Sequence, residues 1–367
     1  MSKATPIFFL IIAIGLLIFI SQKMPSSPLF SNKGSNQSLT HQQTPVATPI
    51  GTPNPYAGIR PETVIVSGPQ SGAVIDNDRK VTFYYATIWP GDLANISFET
   101  KVSGLDSDWQ TSYSNSRIIN LGSGDKNYIF QVRAKTSGGV YDLTPAERSF
   151  QAKISSYLDK VKISSVSPGQ YPYSIMRITL TNQISSINLT GWTLASNTVK
   201  YYIPTAANIY NPSSYQADSV NLKNGDSLII LGQPSPINAN YHFNKCLGYL
   251  NSSPSPTPSP NFYNNCPRPD QAEIANLNIS CQGFISRLAN CQIPKAADYK
   301  DYNIDSACLN FMNGRLNYNG CVQRYRYDSD FFSREWYVYS GNNFLLPDHD
   351  KLILRDSAGL LVDVYSY

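Results

Sequence analysis

Cysteine is missing from the first 245 residues of this 367-residue chain and from everything after position 321. Histidine is scarce as well, with only His41, His242 and His349. No G-x-S-x-G turn, H-E-x-x-H pair or glycine-rich phosphate loop occurs in the chain, which removes the common hydrolase, metalloprotease and nucleotide-binding signatures. Charge is sparse: Asp, Glu, Lys and Arg make up 15% of residues, against roughly 25% in an average soluble protein. The net charge of +4 is scattered, and without a concentrated basic patch nucleic acid is not an expected partner. No two cysteines lie closer than ten residues, so the C-x2-4-C pairs of a structural zinc site are absent. No cofactor is expected.

What is present is tyrosine (25), proline (25) and abundant Ser, Thr and Asn. Cys246, Cys266, Cys281, Cys291, Cys308 and Cys321 all fall in one segment. An even, clustered set behind an export signal reads as a disulfide framework. That signal is the apolar run Pro6–Ile20, flanked by Lys3 and Lys23. The run is short against the roughly 17–25 residues of a membrane span, and Ala4 and Thr5 extend it. No A-x-A-like cleavage site follows at 20–24, so residues 1–24 are expected to be an uncleaved signal anchor forming a transmembrane helix. Residues 25–60 are rich in Ser, Thr, Pro, Gln and Asn. Such a stretch buries too little surface to offset its ordering entropy, which predicts a disordered stalk. The membrane is thus one expected partner, with the body outside the cytoplasm.

Over 61–154 the pattern becomes short strands between Gly/Asp/Ser turns. In "ISFETKV", Ile96, Phe98, Thr100 and Val102 face one way and Ser97, Glu99 and Lys101 the other. "NYIFQVRAK" alternates likewise, with Tyr128, Phe130, Val132 and Ala134 inward. Period-two runs of this length predict a β-sandwich. The stretch "LGSGDKNYIFQVRA", through Leu121, Tyr128, Phe130 and Val132, resembles the fibronectin type III and immunoglobulin-like pattern. That resemblance implies a core tyrosine at 128 anchoring a corner between sheets.

Residues 155–367 are expected to form a second sandwich. "INLTGWTL" carries Leu189, Gly191, Trp192 and Leu194, and the end of the chain carries Leu354, Asp356, Gly359 and Asp363. Together with "VKISSVSPG", "MRITLTN" and "LKNGDSLIIL", these segments resemble the lamin-tail domain, an immunoglobulin-like sandwich, over 155–242 and 335–367. Trp192 is expected to plug the core, because one indole can bury on the order of 150–250 Å², and Gly191 lets the chain turn just before it. The fold class is therefore all-β, with two immunoglobulin-like sandwiches in tandem, the second interrupted by a cysteine-rich insert at 241–335. The insert reads as helical, with Ile279, Phe284, Ile285 and Leu288 at helical spacing and Asp305 as an N-cap. Two antiparallel helices, bracketed by cysteines, would pair Cys291 with Cys308 and Cys281 with Cys321, leaving Cys246 for Cys266. The arrangement resembles envelope-anchored bacterial lamin-tail proteins, some of which carry a comparable insert.

Chemistry-bearing groups are few. Asp348, His349 and Asp350 would need a further partner to hold a metal, and read as a turn. Asp328, Asp330 and Glu335 would need a cleft between them to act as paired acids, and read as a turn and helix cap. Trp336, Tyr337 and Tyr339, in "YDSDFFSREWYVYSGNNF", form the most aromatic candidate ligand surface. The leading expectation is a non-enzymatic, membrane-anchored extracytoplasmic protein for cell-surface structure, adhesion or protein contact. The alternative is a carbohydrate or cell-wall-glycan binding module. A metal-dependent hydrolase is the weakest reading.

Overall fold

Alternating strands make up the first part of the body. The computed structural model describes residues 56, 58–168, 175–181, 183–252, 262–341 and 349–367. The first strands are β1 (Glu62–Ser67), β2 (Ala73–Ile75), β3 (Lys80–Ile88), β4 (Ile96–Val102), β5 (Gln110–Ser112), β6 (Ser116–Asn120), β7 (Gly124–Thr136) and β8 (Ala146–Ile154). One sheet has the order β1-β3-β6, and the facing one runs β8-β7-β4-β5, with β2 beside β8. Inward residues of β3, β7 and β8 interdigitate: Phe83 stacks on Phe130 at 4.1 Å, and Tyr128 on Phe150 at 5.4 Å. The Tyr128 hydroxyl accepts the Gly122 N–H at 3.2 Å, six residues upstream, which is the corner contact of an immunoglobulin-like sandwich. Glu99 lies on the outer side of β4 yet is buried. Arg133 covers it with a 2.7 Å ion pair, and the guanidinium is itself held over the rings of Trp109 and Tyr141.

The second sandwich uses β9 (Val161–Ser167), β10 (Ile175–Leu180), β11 (Ser186–Asn188), β12 (Thr193–Ala195), β13 (Lys200–Tyr202), β14 (Asn221–Lys223), β15 (Ser227–Leu231), β16 (Tyr241–Asn244), β17 (Phe332–Tyr339), β18 (Lys351–Arg355) and β19 (Leu361–Ser366). One sheet has the order β16-β17-β15-β10-β9, the other begins β13-β12-β18-β19, and β11 pairs with β14. Between the two larger sheets lies a core that includes Leu189, Leu194, Met176, Ile178, Leu228 and Leu354. Trp192 is 2% exposed within it and packs against Tyr157 at 5.5 Å. Gly191 has φ +82, the left-handed region that costs other residues about 1–2 kcal/mol. Its N–H donates to Ile203 O at 2.8 Å, so the turn that delivers the indole is fixed on both sides.

The tandem arrangement is closer than two beads on a string. β19 continues into the first sandwich beside β8, in parallel, through Leu361 and Ile154, so one sheet runs through both bodies. Leu361, 1% exposed, packs in the first core rather than the second. Ser155 N–H donates to Leu361 O at 2.8 Å and Ser155 Oγ donates to Asp356 Oδ2 at 2.7 Å. Arg355 pairs with Asp76 at 2.8 Å. The described residues accordingly form one compact unit.

The insert expected at 241–335 is rooted in the sheet at both ends. β16 is its edge strand, and β17 returns between β16 and β15, parallel to β15. The residues between them form a cap with α1 (Gln271–Ile274), α2 (Ile279–Arg287), α3 (Ser306–Arg315) and α4 (Tyr318–Tyr325). Asp270, Asn278, Asp305 and Asn317 each cap a helix N-terminus with a side-chain oxygen.

The disulfides differ from the expected pairing at every position. They join Cys246 to Cys321, Cys266 to Cys291 and Cys281 to Cys308. The second helix breaks at Leu316 and Asn317 into α3 and α4, which separates Cys308 from Cys321. The first turns of α2 and α3 then meet, joining Cys281 to Cys308. Cys291, at φ +60, curls back beyond α2 to Cys266. Cys321 on α4 reaches Cys246 and ties the cap to the end of β16. No helix among the described residues is long and apolar enough to cross a membrane. The expected anchor at 1–24 and most of the stalk at 25–60 lie outside the described residues.

Candidate functional site: a polar cleft at the root of the cap

The groups singled out for chemistry are occupied elsewhere. Asp328 and Asp330 both pair with Lys245, at 2.8 and 2.7 Å. Glu335 accepts from Arg177 at 3.1 Å and from the Tyr337 hydroxyl at 2.9 Å. Asp350 Oδ1 accepts from Asn197 at 2.8 Å, His349 is exposed, and Asp348 lies outside the described residues. Among the described residues no group of three or more His, Cys, Asp or Glu is placed to hold a metal ion.

The expected aromatic surface is a packing surface. Trp336, 4% exposed, faces the second-sandwich core. On the opposite face of β17, Tyr337 and Tyr339 pack under the cap. Tyr241 stacks on Tyr337 at 5.7 Å and shares a 2.7 Å hydroxyl contact with Tyr339. Strand alternation explains the difference: a run of aromatics on an internal strand is divided between two covered faces.

A cleft of about 780 Å³ opens beside β16 and β17, where the cap leaves the sandwich. Its floor is a three-ring stack. His242 lies between Phe332 (4.3 Å, 4° between planes) and Trp336 (4.2 Å, 8°). The stack follows from register, since His242 pairs with Trp336 across the two strands. His242 Nε2–H donates to the Ser333 carbonyl and Nδ1 faces the Asn208 side-chain amide, both at 3.0 Å. Burial pushes the imidazole down to about 4, against the pull of the Ser333 carbonyl and the Asp226 carboxylate, with Lys223 reinforcing the drop. The ring is therefore neutral at pH 7.

The walls carry Asp218, Asn221, Lys223, Asp226 and Arg334. The Asp226 carboxylate accepts the Lys223 backbone N–H at 2.9 Å and holds the turn. Lys223, Arg334 and Asp218 form no ion pair among the described residues. The Trp336 indole N–H is buried without an acceptor among them. No local motif announces this site. Ser333 lies 91 positions from His242, and only strand pairing brings them together.

No family profile matches the chain, and no curated protein does. Among solved structures, 41 chains match. CopC from Methylosinus trichosporium OB3b is 12% identical over 25% of this chain and 93% of its own, with a TM-score of 0.16. SGBP-B of the Bacteroides ovatus mixed-linkage glucan utilization locus, in complex with a mixed-linkage heptasaccharide, is 16% identical over 47% of this chain and 43% of that one, with a TM-score of 0.21. The FN1–FN3 domains of chicken CNTN1 are 12% identical over 46% and 55% of the two chains, with a TM-score of 0.19. The match thus spans about half or less of the latter two chains. At such scores none of these likenesses bears on function, and the immunoglobulin-like architecture rests on the strand topology.

Proposed function

We propose that the chain is a non-enzymatic, membrane-anchored extracytoplasmic protein. Its stalk presents two joined β-sandwiches and a covalently closed cap, for cell-surface structure, adhesion or protein contact. One observation carries this reading: every cysteine in the chain is disulfide-bonded, and all three bonds lie within the cap. Disulfides persist in oxidising compartments, and small cores need them. The apolar run at 6–20 supplies the anchor, and the proline-rich stretch after it supplies the distance from the bilayer. The ion-paired state of Asp328, Asp330 and Glu335 supports the absence of catalysis. The lamin-tail resemblance of the second sandwich gains support from the buried Trp192 and from the hairpin that Asp356 closes.

The test is topological. In intact cells, externally added protease should digest the body, and a membrane-permeant maleimide should label no cysteine without prior reduction. Labelling of the six thiols without reductant, or a protected body, would overturn the reading. So would turnover of a glycoside, peptide or phosphodiester that a single substitution abolishes.

A further inference from the structure

We propose that the cleft at the root of the cap binds a neutral oligosaccharide. This deepens the reading of the chain as a non-enzymatic binding body and does not depend on its anchorage. The volume of about 780 Å³ falls within the roughly 300–1,000 Å³ of small-molecule sites. The formal charge on its walls cancels, because Lys223 and Arg334 are matched in number by Asp218 and Asp226. A balanced wall has no net field with which to select an anion or a cation. It does offer donors and acceptors side by side, and a sugar hydroxyl is both at once.

The charged groups are also available. Lys223, Arg334 and Asp218 are not engaged in ion pairs among the described residues, and hydrogen bonds to charged groups are the stronger kind. The floor is built in advance: His242 is clamped between two rings and tied at both nitrogens, so little ordering remains to be done on binding. Beneath it Trp336 is buried and backs the His242 ring at 4.2 Å, so the floor is rigid. Phe332 adds an apolar edge to the lining.

The experiment uses the full chain in detergent on an array of neutral and acidic glycans, followed by calorimetric titration of the best neutral oligosaccharide. Binding of neutral glycans is expected. Asn221→Ala and Arg334→Ala, both exposed side chains, should each weaken it about tenfold without moving the melting temperature. Trp336→Phe keeps the ring stack and should abolish the ligand-induced change in indole fluorescence. Absence of any glycan binding overturns the proposal. So does binding confined to acidic glycans, or binding indifferent to both Asn221→Ala and Arg334→Ala. Hydrolysis of the bound glycan would support the site and overturn the non-enzymatic reading.

Discussion

Two residues bear stability in ways their type alone would not reveal. Gly191 adopts φ +82 with nothing within 4 Å of where a Cβ would stand, so Gly191→Ala meets no clash and adds only backbone strain. The expected loss is about 1 kcal/mol, read as a shift in denaturant midpoint without change in slope. His242 has the opposite character, since its cost is electrostatic. Its folded value, about 4, lies below the ordinary 6.5. The unfolded chain therefore takes up the proton first as pH falls. The stabilisation is complete above about 6.5, is lost progressively towards about 4, and falls no further below that. The loss should reach about 3 kcal/mol at most, and His242→Phe should flatten this portion of the stability–pH curve. A curve unchanged by the substitution would contradict the buried, neutral state.

At the scale of elements, the cap is held by chemistry that its helices do not supply alone. α1 has four residues and α4 eight, too short to persist in isolation. Cys246 and Cys321 are 75 positions apart, a loop whose closure contributes roughly 4 kcal/mol in the chain-entropy account. The Cys246→Ser/Cys321→Ser double variant should lose the cap's protection from hydrogen exchange while the sheet amides of β10 and β15 keep theirs. Peptide mapping without reduction should recover the three observed pairs. Gly248 is a second constraint: an added Cβ would meet Cys291 Sγ and the Tyr263 carbonyl, the latter at 2.8 Å. Gly248→Ala should therefore destabilise the cap more than Gly191→Ala destabilises its turn. The strands of β4 and β7, the Asp305 cap and the plug at Trp192 are legible in the sequence, because each is a local pattern. The cysteine partners are not, because they depend on where α3 stops and on the left-handed turn at Cys291. The aromatic run of β17 misleads for a related reason: its period of two is visible, but nothing local says that both faces are covered.

At the scale of the whole molecule, the joint between sandwiches decides how the body responds to stress. Asp356 accepts from Ser155 Oγ, Ala358 N–H and Leu360 N–H, and Arg355 pairs with Asp76 at 2.8 Å across the joint. Calorimetry should show one transition for both sandwiches. Asp356→Ala, which leaves buried donors unpaired, should lower the melting temperature and split that transition in two. The period-two strands predict two sandwiches, but a single pair of residues, Ile154 and Leu361, merges their sheets, and no sequence pattern marks such a seam. The seam also sets an order of events during synthesis. Leu361 belongs to the core of the sandwich made first, yet it emerges from the ribosome some two hundred residues after the strand it pairs with. Until it arrives, the core around Ile154 lacks one apolar side chain, and the earlier sandwich is completed only when the last strand docks.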